Sequence, residues 1–162
     1  MTIKAGDKIP SATLMEMQDG KPIPVSTDTF FAGKTVALFA LPGAYTPTCS
    51  AKHVPGYLKL NDALRAAGVD EVWCHSVNDA FVMGAWGREQ KAAGKVRMMA
   101  DGAAQWAKGL GLDQDLSQRG LGVRAKRYAM VIDDGVVTHL FVEEPGEFKV
   151  SSAEAVLESL RA

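Results

Sequence analysis

Three short runs rich in apolar residues, Thr35–Leu41 (TVALFAL), Val69–Val77 (VDEVWCHSV) and Lys95–Asp101 (KVRMMAD), constrain this chain more than any other feature. The first is apolar without strict alternation, as expected of a strand covered on both faces, and reads as a central strand. The stretches between them, YLKLNDALRAAG and AFVMGAWGREQKAAG, carry helical spacing, with Gly68 as a stop for one and Asn78 or Asp79 as a cap for the other. Strand, helix, strand in this order predicts right-handed βαβ units and parallel pairing.

The remaining elements are shorter. SATLMEM reads as a strand followed by an Asp19-Gly20 turn, AAQWAKGLGL as a short helix, and GLDQDLSQRGLG as a loop. AKRYAMVID and VVTHLFVEE, joined through Asp133-Asp134-Gly135, predict a hairpin. A last helix begins at Ser151 or Ser152, where Ser151 and Glu154 fit a capping box. The expected class is α/β, a mixed β-sheet that is parallel first and antiparallel at the end, flanked by helices. That order is compatible with a thioredoxin-like fold and with several other small α/β folds. With 162 residues, one domain over 1–162 is expected.

A net charge of −1 provides no global field for nucleic acid or anionic lipid. No apolar run approaches the roughly 18 to 20 residues that span a bilayer, and the start lacks the apolar core of a signal peptide, so a cytoplasmic location is expected. Cys49 and Cys74 are too few for a disulfide framework and show no spacing suited to zinc. Any chemistry they perform is redox or nucleophilic.

Cys49 lies in LPGAYTPTCSAKHVPGY, after the central strand. Pro42-Gly43 breaks the chain at the carboxyl end of that strand, where open α/β sheets place their sites. Thr46 suits a helix N-cap and Pro47 the first helical position, which puts Cys49 third, among unpaired backbone N–H groups. That environment favours thiolate, but a helix terminus contributes only about 0.3–1 kcal/mol, and about 2 at best. One pKa unit needs about 1.4 kcal/mol, so a cation must help. Pro55-Gly56 interrupts the same helix two turns on; a proline there either bends it or kinks it and frees a carbonyl, which lets the first turns fray. Arg124, Lys126 and Arg127, at the start of a strand, are candidates for the cation, and Arg127 faces opposite to the other two. Alternation alone does not choose among them. His53, four residues after Cys49, shares its helix face and invites a Cys–His pair, with pocket lining or packing as the plainer role. Cys74 lies in a buried strand by pattern and reads as core.

Pro42-x-x-x-Thr46-x-x-Cys49 resembles the active-site signature of the peroxiredoxins, and PGAYTPTCSAKHVPGY is similar to their type-five subgroup, called type II in plants. The likeness extends through SVNDAFVMGAW, VRMMAD and KRYAMVIDDG, in order along nearly the whole chain. The resemblance implies a thioredoxin-like fold and a thiol peroxidase that reduces hydrogen peroxide and organic hydroperoxides without cofactor. It assigns the nucleophile to Cys49, peroxide orientation to Thr46, shielding of the sulfur to Pro42, and the cation to Arg127, the residue before Tyr128. Animal members of the subgroup carry a resolving cysteine before the final helix; here that region reads EFKVSSAEAV. Unless Cys74 reaches Cys49, the implied reductant is an external thiol, glutathione with glutaredoxin or thioredoxin. Many relatives are dimers through loops around the site, to which Trp86 and Trp106 are candidate contributors, with core packing the plainer use of both. Pocket shape near Tyr45 and the 111–122 loop is expected to govern peroxide preference. A glutaredoxin-like disulfide carrier and a redox-sensing chaperone are the competing functions; the first spares peroxide, and the second oxidises without turnover.

Overall fold

A computed structural model of the chain describes residues 2–161. Its elements run β1 (Thr13–Gln18), β2 (Lys21–Ser26), α1 (Thr27–Phe30), β3 (Thr35–Ala40), a π-helical turn (Cys49–His53), α2 (Val54–Lys59), α3 (Asn61–Ala66), β4 (Glu71–Ser76), α4 (Ala80–Gln90) and β5 (Arg97–Ala100). There follow α5 (Gln105–Leu110), β6 (Asp113–Asp115), a 3₁₀ turn (Ser117–Arg119), β7 (Val123–Ala125), β8 (Tyr128–Asp133), β9 (Val136–Val142) and α6 (Ala153–Arg161). Seven strands form one sheet in the order β2-β1-β5-β4-β3-β8-β9. The three apolar runs are the parallel centre, β5-β4-β3, and β8 closes antiparallel on β3. This is the thioredoxin-like architecture, with helices on both faces.

Antiparallel strands flank the parallel centre on both sides, since β1 pairs antiparallel with β5 and β2 with β1, whereas they were expected at the end only. Strand β2 (KPIPVS) escapes a sequence reading because Pro22 and Pro24 argue against a strand. Both prolines lie two apart on an edge strand, so their missing N–H groups point the same way, to the open side, where no ladder bond is lost. The 111–122 segment, expected as a loop, contributes β6, which pairs with β7 in a separate ribbon. Three-residue polar strands carry no alternation to read.

Alternate residues of β3 feed two cores. Ala37 and Phe39 face a cluster with Cys49, Val54, Tyr57, Leu64, Met83, Trp86 and Val156. Val36, Leu38 and Ala40 face the other, with Phe31, Trp73, Trp106, Leu110 and Tyr128. Trp86 and Trp106 are fully buried and pack in these cores. On β8, Ala129 and Val131 join the first cluster, and Tyr128 and Met130 the second. By that alternation Arg127 falls on the Cys49 face.

The final helix corrects the expected cap. Ser152 Oγ accepts from Ala155 N at 3.2 Å, whereas the Ser151 hydroxyl donates to Glu143 Oε2 at 2.7 Å. Ser151 is thereby a buried tether and takes no part in a capping box with Glu154.

Candidate active site

The site lies beyond the carboxyl end of β3. Its loop turns at Tyr45, whose φ of 67° is left-handed and strained for a side chain of that size. The chain enters a helical turn at Pro47, and Ser50 N donates to Thr46 O at 3.0 Å. Thr46 therefore holds the N-cap position, but its hydroxyl does not cap: Oγ1 donates to Gly43 O at 2.7 Å and braces the loop. That leaves the lone pairs of Oγ1 for another donor. Asn78 Oδ1 accepts from Ala44 N at 2.9 Å, tying the loop to the turn that follows β4.

Pro55 has the effect its chemistry demands. Without an N–H it cannot continue the ladder, and the chain makes a π turn just before it, with Val54 N bonded back to Cys49 O. The π turn thus opens on the cysteine itself. Cys49 is fully buried, and its N–H, third in the helix, has no intrahelical acceptor.

Arg127 Nη2 donates to Cys49 Sγ at 3.2 Å, and Nη1 bonds His53 Nδ1 at 2.8 Å. Of the three basic candidates, Arg127 meets the sulfur. Arg124 instead donates through Nη1 to Pro42 O at 3.1 Å and through Nε to Leu121 O at 2.9 Å, clamping the loop from outside. A Cβ at Gly43 would collide with that guanidinium, so the close approach requires glycine.

His53 is the residue whose role the sequence left open. Its Nε2 lies 3.0 Å from Ser151 O, which only accepts, so Nε2 carries the hydrogen. Nδ1 is left with a lone pair for the guanidinium, which only donates. Burial and then the Arg127 charge push the pKa of the ring down to about 3. His53 is thus neutral and bonded away from the sulfur; it holds the arginine. The i+4 spacing from Cys49 signalled a shared face but did not show that a third group stands between them. Tyr57 Oη also donates to Ser151 O, at 2.9 Å, and Tyr57 stacks on Phe39 with ring centroids 4.0 Å apart. Phe148 closes the outer side, its ring 5.0 Å from His53 and 5.9 Å from the Arg127 guanidinium.

Cys74 lies on β4 opposite Phe39, in the same cluster as Cys49, and both thiols are free. Burial, and next the neighbouring Cys49 sulfur, push its thiol well above the ordinary range. Among the described residues no three His, Cys, Asp or Glu side chains converge to hold a metal ion, and no helix is long and apolar enough to cross a membrane. A sulfur at a helix start, faced by a guanidinium whose free N–H groups lie beside it, suits nucleophilic attack in which a leaving oxygen gains charge.

The family model described as Redoxin matches residues 4–157. Peroxiredoxin-2B of Arabidopsis thaliana is 45% identical over 159 residues, which cover 98% of each chain. Hybrid peroxiredoxin hyPrx5 of Haemophilus influenzae is 40% identical over 163 residues, 99% of this chain and 67% of that protein. Among solved structures, reduced Prx3 in complex with H2O2 from Vibrio vulnificus superposes with a TM-score of 0.95 at 50% identity, over 98% of this chain and 99% of that one.

Proposed function

The chain belongs to the redoxin family and, within it, to the type-five (plant type II) peroxiredoxins, so it is a thiol peroxidase; from that premise we propose that Cys49 is the sulfur that attacks the peroxide and Arg127 the charge that stabilises the attack. The observation that carries this reading is the 3.2 Å bond from Arg127 Nη2 to Cys49 Sγ. The thiolate lone pair forms an S–O bond to one peroxide oxygen as the O–O bond breaks. The electron pair leaves on the other oxygen, which takes up a proton and departs as water or alcohol. Sulfur is oxidised by two electrons to sulfenic acid. Arg127 offers donors in a rigid fork to sulfur and leaving oxygen together, and the Cys49 N–H adds another. Thr46 Oγ1, its hydrogen engaged by Gly43 O, presents lone pairs that accept from a peroxide O–H. Pro42, held by Arg124, shields the sulfur from water.

An external thiol completes the cycle. One thiol attacks the sulfenic sulfur and releases water, leaving a mixed disulfide, and a second thiol displaces Cys49 as the reduced form. The raised pKa and full burial of Cys74 favour this over an internal disulfide, because the protonated thiol is a poor nucleophile. Glutathione with glutaredoxin, or thioredoxin, fits that step, and either reductant suits the reducing, cytoplasmic setting that goes with this reading. Exposed Tyr45, on the loop beside the site, suits the contact of a homodimer.

Stopped-flow consumption of hydrogen peroxide and an organic hydroperoxide, with the two reducing systems side by side, tests the reading. Cys49→Ser abolishes consumption and Cys74→Ser retains turnover with an external thiol. Equal loss in both variants would put Cys74 into the mechanism, and peroxide left intact by the wild type would reduce the protein to a disulfide carrier.

A further inference from the structure

Four residues close a ring of hydrogen bonds behind the sulfur. Arg127 O accepts from Glu143 N at 3.0 Å. Glu143 Oε2 accepts from Ser151 N at 2.8 Å and from its hydroxyl at 2.7 Å. Ser151 O accepts from His53 Nε2, and His53 Nδ1 from Arg127 Nη1, which returns the ring to its start. Glu143 has further ties, since the same Oε2 accepts from Lys149 N at 2.8 Å and Val150 N at 2.9 Å. One carboxylate oxygen thereby folds the 149–151 segment onto itself, and it does so at 8% exposure, where each bond is little weakened by water.

Resting on the reading of Cys49 and Arg127 above, we infer that Glu143, which touches neither sulfur nor peroxide, is a positioning residue for the reaction: its carboxylate places the Ser151 carbonyl, which sets the His53 ring, which aims the Arg127 guanidinium at Cys49. A guanidinium on a flexible stem occupies many rotamers unless its second nitrogen is held. His53 holds it with a lone pair that exists on Nδ1 only while Ser151 O keeps the hydrogen on Nε2. The Ser151 carbonyl, in turn, lies in irregular chain with no ladder to place it; Tyr57 Oη also donates to it, but a hydroxyl does not fix the segment that carries it. Glu143 does so, and its own backbone is bonded to the residue being aimed. The device is closed on itself, so loosening one member frees the guanidinium without unfolding the strand that carries it.

The test uses the full chain with Cys74→Ser as parent, so that one thiol reports. Rates of Cys49 loss are measured with H2O2 and with iodoacetamide, an electrophile whose leaving iodide needs no guanidinium; each is followed with rising pH to the plateau where the thiol is fully ionised, and the plateau rates are compared, because Arg127 also stabilises the thiolate that both electrophiles require. Glu143→Gln is expected to lower the peroxide rate about tenfold or more while changing the iodoacetamide rate less than about threefold, and to add little in an Arg127→Lys background. Glu143→Asp, which keeps the charge on a shorter arm, is expected to recover part of the loss. A peroxide rate within about twofold of the parent, equal falls with both electrophiles, or full additivity with Arg127→Lys overturns the inference. Should Glu143→Gln fail to fold, Glu143→Asp is judged by the same ratio. A slow Arg127→Lys beside a normal Glu143 variant defeats the relay alone; an unchanged Arg127→Lys defeats the reading of Arg127 and the relay with it.

Discussion

Cys49 combines full burial with a bond to a cation, and each property accounts for part of its proposed use as the attacking sulfur. On that proposal, burial keeps water from competing with peroxide, and the Arg127 donor at 3.2 Å supplies the charge that burial would otherwise deny the thiolate. Arg127→Lys replaces a two-pronged fork by a point charge that cannot serve sulfur and His53 together. Charge-assisted bonds contribute about 1.5–3 kcal/mol, so the peroxide rate is expected to fall about 10- to 100-fold in stopped flow. His53 makes a prediction about pH. Its folded pKa of about 3 lies below its ordinary 6.5, so the unfolded chain binds a proton between those values and the folded chain does not. The stability from keeping the ring neutral is intact above about pH 6.5 and is lost as pH falls, by up to about 1.4 kcal/mol per pH unit. Denaturation midpoints measured from pH 7 to 4 should show this onset, and His53→Gln should remove it. A midpoint flat down to pH 5 in the wild type would contradict the neutral, Nε2-protonated ring.

At the level of elements, the π turn is the device that reconciles Pro55 with a continuous helix. Proline was expected to bend the helix or to kink it and free a carbonyl; the outcome is a change of ladder, with Val54 N reaching back to Cys49 O. The turn is under-bonded at Cys49, the proposed nucleophile. Amide exchange at residues 50–54 is therefore expected to exceed that at 62–66, and Pro55→Ala to slow it, with slower reduction of the sulfenic acid because the sulfur is released less often. Exchange equal in the two segments would remove that role. The final helix separates two adjacent serines by function. Ser152→Ala removes only a cap and is expected to cost about 1 kcal/mol, or about 2–4 °C in Tm, with peroxidase activity retained. The capping box assigned to Ser151 fails because its hydroxyl finds Glu143, eight residues back in the chain and invisible to a rule built on spacing within one helix.

Across the whole molecule, one sheet divides two cores and puts the candidate site at one end of their boundary. The face away from Cys49 is built around aromatic rings, with Trp73 lying 4.7 Å from Phe31 and 6.3 Å from Trp106 between centroids. The two tryptophans differ in their polar atom. Trp106 Nε1 donates to Pro10 O at 3.1 Å, whereas Trp73 Nε1 is buried without a partner among the described residues. Phenylalanine at Trp106 removes one of two bonds to the Pro10 carbonyl, which keeps the Thr27 hydroxyl at 3.0 Å, and at Trp73 it removes an unpaired donor. Trp106→Phe is expected to destabilise more than Trp73→Phe by about 0.5–1.5 kcal/mol in denaturant midpoints, and equal losses would refute this accounting. The parallel centre of this sheet was legible because strands covered on both faces must be apolar throughout. Strand β2 and the β6–β7 ribbon were not, since edges and short polar ribbons owe their pairing to neighbours and leave little pattern behind.

The chain by itself determined that a cysteine would stand third in a helix after a central strand, because turn residues, cap and proline act locally and are written side by side from Pro42 to Pro55. It left Arg124, Lys126 and Arg127 open by alternation, and only resemblance to a family singled out one. Tertiary structure decided the rest. The register of β8 on β3 turns residue 127 toward the sulfur, and the fold brings Ser151 to His53 across 98 residues. Local preferences are set by a residue and its chain neighbours, but the aim of a guanidinium depends on which distant groups hold its other nitrogen, and that is fixed only when the sheet and the last loop close together.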